Sequence, residues 1–98
     1  MFQIIKPEEL QKNPFTMIGK EWLLITAEKD GKANTMTASW GGVGVLWGKN
    51  VATLYIRPQR YTKEFVDASD TLSLSVLDES FRKTLNYLGT VSGRDENK

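Results

Sequence analysis

The sequence contains no cysteine and no histidine. The first absence excludes disulfides, thiolate nucleophiles and thiolate metal sites. The second removes the commonest general base and the commonest transition-metal ligand, and with them any hydrolase triad built on histidine. Charge of one sign is also lacking: 13 basic residues against 12 acidic ones leave a net charge of +1. Such a balance provides no long-range field to gather nucleic acid or an anionic membrane, so neither is expected as a partner. No apolar run approaches the ~20 residues that cross a bilayer, and the start, from Met1 to Pro7, lacks the basic-then-apolar order of a secretory signal. The expected location is cytoplasmic. If this chain does chemistry, a cofactor is expected to bring the reactive atoms.

What is present fits one domain, residues 1–98, with 40% hydrophobic and 26% charged residues. Lys6 to Gln11 reads as a helical turn with Pro7 at a tolerated first position. Glu21 to Glu28 reads as a buried strand around Trp22-Leu23-Leu24-Ile25. Asp30-Gly31 is a strong hairpin signal, and the return strand is expected from Ala33 to Trp40. Gly41, Gly42 and Gly44 loosen the chain before Val45-Leu46-Trp47, and a turn at Gly48-Lys49-Asn50 leads into a strand from Val51 to Ile56. Pro58 ends that strand. A short helix is expected over Thr62 to Ala68, and a half-buried strand over Asp70 to Leu77, where Leu72, Leu74 and Val76 alternate with serines. Asp78 is placed to cap a second helix whose Phe81, Leu85 and Leu88 share a face, and Gly89 to end it. The order predicts a mainly β protein, an antiparallel barrel or sandwich with two short helices. Some five strands are few for a closed barrel, so closure is expected from elsewhere.

Three segments have the residues for binding chemistry. In the run from Asn34 to Trp40, alternation puts Met36, Ala38 and Trp40 on one face and Thr35, Thr37 and Ser39 on the other. Hydroxyls and main-chain amides at such a strand end suit a flat polar heterocycle, although a solvent-facing Thr/Ser row has the same pattern. In Arg57-Pro58-Gln59-Arg60-Tyr61-Thr62 a strand passes into a helix with Thr62 at the expected N-cap. Free amides there, with Arg57 or Arg60, suit a phosphate, and an ordinary cap beside solvated arginines has the same spelling. Ser92-Gly93-Arg94-Asp95 is a small basic loop that resembles both a phosphate wrap and a frayed end.

Other features carry less. Gly42-Val43-Gly44 lacks the helix and remaining glycine of a dinucleotide loop. Asp67, Asp70 and Asp78 lack the clustering of an oxygen-ligand metal loop. Trp22, Trp40 and Trp47 on strands suit core or interface as well as ring stacking.

Together, the runs Asn34 to Trp40, Ile56 to Phe65 and Thr90 to Asp95 resemble, in that order, the flavin reductase-like family with the FMN-binding split barrel, near its flavoredoxin branch. The resemblance extends from about Pro14 to Lys98. It implies a six-stranded antiparallel split barrel, non-covalent FMN, and a homodimer with flavin near the subunit interface. Met36, Thr37, Ala38 and Ser39 would line the isoalloxazine ring, largely through backbone groups. Arg57, Tyr61 and Thr62 would follow the ribityl chain and phosphate, and Ser92, Gly93 and Lys98 would approach the phosphate. The implied activity is hydride or electron transfer between NAD(P)H and flavin. A flavoredoxin-type carrier reduced by a partner protein, or a non-catalytic flavin-binding or dimerisation module, would use the same residues. Related chains run on past the position of Lys98, so the resemblance also implies a domain shortened at its C-terminal side.

Overall fold

The computed structural model describes residues 3–77 and 79–94. Two antiparallel sheets form its frame. One is three-stranded, with β1 (Leu23–Lys29) between β2 (Lys32–Ala38) and β5 (Ser73–Ser75); the other is the hairpin β3 (Gly41–Leu46) and β4 (Lys49–Leu54). The helical segments are α1 (Pro14–Thr16), which runs into a π-turn over Met17–Glu21, α2 (Thr62–Asp67), α3 (Arg82–Thr90), and 3₁₀ turns over Pro7–Glu9 and Glu79–Phe81. The described chain is 32% helical and 32% strand, so the mainly β expectation is corrected to a mixed architecture with antiparallel sheets. No closed barrel forms among the described residues. None of the described helices is long and apolar enough to cross a membrane.

Both hairpins turn where the chain accepts positive φ at two successive residues. Asp30 and Gly31 have φ of 53° and 79°, as the Asp-Gly pair predicts. The second turn lies at Trp47-Gly48, with φ of 55° and 70°, one residue earlier than expected. Lys49 and Asn50 therefore already pair in β4, opposite Leu46 and Val45. The glycine-rich segment expected to loosen the chain is instead β3. Gly41 is needed there: its φ is 155°, and a Cβ would sit 2.6 Å from the Thr53 carbonyl oxygen.

The register of β1 with β2 runs from Leu23↔Ala38 to Lys29↔Lys32. Directly paired residues share a face. Leu23, Ile25 and Ala27 are buried with Asn34, Met36 and Ala38. Leu54, Ile56 and Val66 pack on Ile25, Met36 and Ala38, and Leu54 also reaches the cluster of Met17, Ile18 and Leu23. Leu54 thus ties the hairpin sheet to the larger one. Complete burial of a side chain such as Ile25 is worth about 1.5–3 kcal/mol.

Helix α2 packs against β1 and β2, with Val66 on Ile25, Met36 and Ala38 and with Phe65 buried, and α3 packs against β2. Leu85 is the buried residue of α3, whereas Phe81 is 46% exposed and is its N-cap. The expected cap Asp78 lies outside the described residues. Gly89 does not terminate α3, which continues to Thr90. It meets the neighbouring strand instead, where a Cβ would lie 3.2 Å from Thr37 Cβ. The expected Asp70 to Leu77 strand contracts to β5, whose three residues are all exposed.

Candidate functional site

A cavity of about 190 Å³ opens where β2 runs out into Ser39 and Trp40. Met36, Thr37, Ala38 and Ser39 form one wall; Tyr55, Arg57 and Arg60 face them, with Gly89 of α3 at the side. The free edge of β2 explains the place. Lys29 and Lys32 flank a two-residue turn and form a hydrogen-bonded pair, so by alternation Ile25–Met36 and Leu23–Ala38 are hydrogen-bonded pairs also. The backbone N–H and C=O of Thr35 and Thr37 then point away from β1. No strand pairs along that edge among the described residues. Main-chain donors and acceptors are consequently presented beside the cavity, next to two guanidinium groups.

The arginines are brought together by the turn at Pro58-Gln59, closed by the Arg60 N–H donating to the Arg57 carbonyl at 3.1 Å. Burial, and after it the charge of Arg57, holds the Arg60 guanidinium below the usual arginine range. It remains charged near neutrality, because arginine starts so high. Among the described residues neither arginine has a carboxylate within ion-pair distance; the ion pairs present are Lys12–Glu21, Lys63–Asp67 and Arg94–Glu64. Arg60 instead donates to the Leu88 carbonyl at 3.4 Å, and the Arg57 guanidinium lies over the Trp40 ring, 5.7 Å from its centroid. Two cations with weak neutral partners in one cavity constitute an anion-receptive corner.

The threonine hydroxyls are not part of that wall in the way the strand pattern predicts. Thr37 Oγ1 donates to the Leu85 carbonyl at 2.5 Å, and Thr35 Oγ1 to the Ile25 carbonyl at 3.1 Å. Both are consumed in holding the sheet and α3 together. Backbone atoms of this edge and the exposed Ser39 hydroxyl are left for a ligand.

Thr62 is likewise corrected as a cap. The N-cap of α2 is Tyr61, with helical φ and ψ and no side-chain capping bond. Thr62 is 1% exposed, and its Oγ1 accepts from Asn34 Nδ2 at 2.7 Å. Thr37 and Thr62 therefore flank the β2 edge from its two faces rather than meeting in one pocket. Asn34 is buried on the face shared with Met36 and Ala38, and a buried amide requires a partner.

Gly93 closes over this pair. A Cβ on Gly93 would overlap Asn34 Oδ1 and the Tyr61 ring. Arg94 secures the loop by stacking 4.8 Å from the Tyr61 centroid, donating to the Gln59 carbonyl at 3.2 Å and pairing with Glu64 at 2.5 Å. The Ser92 hydroxyl accepts from the Arg94 N–H at 3.1 Å. Of the residues expected at a binding site, Met36, Thr37, Ala38, Ser39 and Arg57 line the cavity. Tyr61, Thr62 and Gly93 assemble around Asn34 beside it, with Ser92 next in sequence. Lys98 lies outside the described residues.

Sequence reasoning kept Arg60 only as an alternative to Arg57, and missed Tyr55, Gly89 and Asn34. For Asn34 a signal existed: it is a polar residue in the alternation that buries Met36 and Ala38. For Gly89 there was none, since its neighbour is 52 positions away in Thr37.

No family model matches the chain, and neither a curated protein nor a solved structure matches it.

Proposed function

We propose that this domain binds FMN at the open edge of β2 and serves flavin-dependent electron transfer, as the flavin reductase-like resemblance implies. The observation that carries the reading is the pair Arg57 and Arg60, lining one cavity with the backbone of Met36 to Ser39 and lacking any carboxylate partner among the described residues. A ligand with a planar polar ring and a phosphate uses both halves. Outward-facing main-chain groups of β2 hydrogen-bond a ring edge, and two guanidinium groups receive a dianion.

When bound, FMN supplies the redox chemistry, taking a hydride from NAD(P)H or electrons from a protein partner. The chain's own part is positioning. Gly89 leaves room beside Thr37, Arg57 and Arg60 fix the phosphate end, and the Asn34–Thr62 bond keeps the strand and the corner in register. No histidine or cysteine is required for this work.

The finer fold reading belongs to the same proposal. Two antiparallel sheets joined through Leu54, with β2 left open, are what a split barrel has before closure. A cavity of about 190 Å³ is smaller than the ~300–1,000 Å³ of complete ligand sites, so within this proposal the remaining wall is supplied by the second copy of the homodimer that the resemblance implies.

The test is reconstitution. Protein loaded with FMN should lose absorbance near 450 nm when NADH or NADPH is added without oxygen. Retained flavin that nicotinamide never bleaches would favour the partner-reduced carrier. Failure to retain FMN at ~100 μM in equilibrium dialysis would end the flavin reading, since such binding is worth under ~6 kcal/mol.

A further inference from the structure

Arg57 and Arg60 are held very differently. Arg60 is partly buried and has a carbonyl to donate to, whereas Arg57 is exposed and its described partner is the indole of Trp40. An exposed arginine on a flexible side chain loses rotamer freedom whenever it is fixed on a ligand. Something must limit that loss if Arg57 is to act in the cavity. Trp40 is suited to it: it is 55% exposed, it lines the same cavity, and it follows Ser39 directly off the end of β2.

The geometry of guanidinium decides what a contact with an aromatic ring does. Its five N–H donors lie in the plane, so packing a face on an aromatic ring leaves the donor edge free. An ion pair with a carboxylate would occupy that edge instead. We infer that Trp40 is a positioning residue, which holds Arg57 at the cavity mouth by cation–π attraction and leaves its N–H donors, paired with no carboxylate among the described residues, available to the phosphate of the ligand. The identity of that ligand rests on the flavin reading; the role of Trp40 rests only on the anion-receptive corner. Trp40 thereby sets the preference for phosphorylated over unphosphorylated forms of one ring system, and does so without touching the phosphate.

Two measurements test this. The first compares FMN with riboflavin. Trp40→Leu should weaken FMN about two- to five-fold, the range of an exposed cation–π contact, with riboflavin unchanged, while Trp40→Tyr retains the FMN preference. Equal loss for both flavins, or none for either, would overturn the inference. The second uses inorganic phosphate as the probe, followed by the indole N–H signals of ¹⁵N-labelled protein, with Trp40 assigned as the signal missing from Trp40→Phe. Phosphate should move the Trp40 signal in the unsubstituted protein and leave it still in Arg57→Gln. A Trp40 signal indifferent to phosphate in the unsubstituted protein would also overturn the inference. If neither flavin binds, the flavin reading falls alone, and the phosphate titration still decides the role of Trp40.

Discussion

Asn34 Nδ2 donates to Thr62 Oγ1 across 2.7 Å, joining positions 28 residues apart, with the two residues only 2% and 1% exposed. This bond fastens the edge strand β2 to the first turn of α2. It also stands directly under Gly93, so three separated parts of the chain meet at one amide. The anion-receptive corner lies immediately before Thr62 in sequence, and the cavity wall begins two residues after Asn34 on β2. Displacement at this bond would therefore move both halves of the proposed site.

Removing one partner leaves a buried polar group without a bond, which costs about 1–3 kcal/mol. Thr62→Ala is accordingly expected to lower the unfolding free energy by that amount, and Thr62→Ser to restore most of it, as read from urea titrations. An Ala variant as stable as the starting protein would show that Asn34 finds another partner.

Gly93→Ala tests the close approach of the loop. Gly93 is not among the glycines with positive φ, so the backbone tolerates alanine and the cost is steric alone. The added methyl meets Asn34 and Tyr61 at overlapping distance. Overpacking of this kind costs about 1–3 kcal/mol, and release of the 92–94 segment should appear as faster amide exchange there. Unaltered exchange and stability would mean that the loop does not rest on Asn34.

Arg57→Gln and Arg60→Gln should each weaken FMN by about 1.5–3 kcal/mol, the range for hydrogen bonds to charged groups, and leave riboflavin nearly untouched. Raising salt should weaken FMN in the unsubstituted protein more than in either variant, because screening acts on the charge pairing that the variants have lost. Isothermal titration at two ionic strengths measures both effects. A similar salt response in all three proteins would remove the arginines from the phosphate site.

Trp47 occupies a turn position with φ of 55° and is 88% exposed. A bulky residue in that region costs about 1–3 kcal/mol relative to one that adopts it readily. Trp47→Asn, which creates the preferred Asn-Gly turn with Gly48, should raise the thermal midpoint. Val43, Val45 and Leu46 of the same hairpin are also at least half exposed. If the hairpin serves the proposed homodimer, the substitution should at the same time weaken self-association in sedimentation equilibrium. A more stable variant with undiminished self-association would place the dimer contact elsewhere.

Local rules determined much of this protein from its sequence. The Asp30-Gly31 turn, the alternation in Leu23 to Lys29 and Lys32 to Ala38, the α2 segment and the burial of Leu85 follow from backbone preferences and from periodicity within a few residues. So does the exclusion of thiol and imidazole chemistry. What required tertiary structure is every relation that depends on who the neighbour is. A threonine row on a strand has the same spelling whether its hydroxyls face a ligand or, as Thr37 does, the carbonyl of Leu85 48 positions later. Thr62 reads as a cap by local propensity, and its burial against Asn34 overrode that propensity. Arg57 and Arg60 read equally as solvated charges or as phosphate ligands, and only packing showed that Arg60 is partly buried against the Leu88 carbonyl while Arg57 stays exposed beside Trp40. Periodicity reports which face a side chain takes, whereas long-range packing decides what waits on that face.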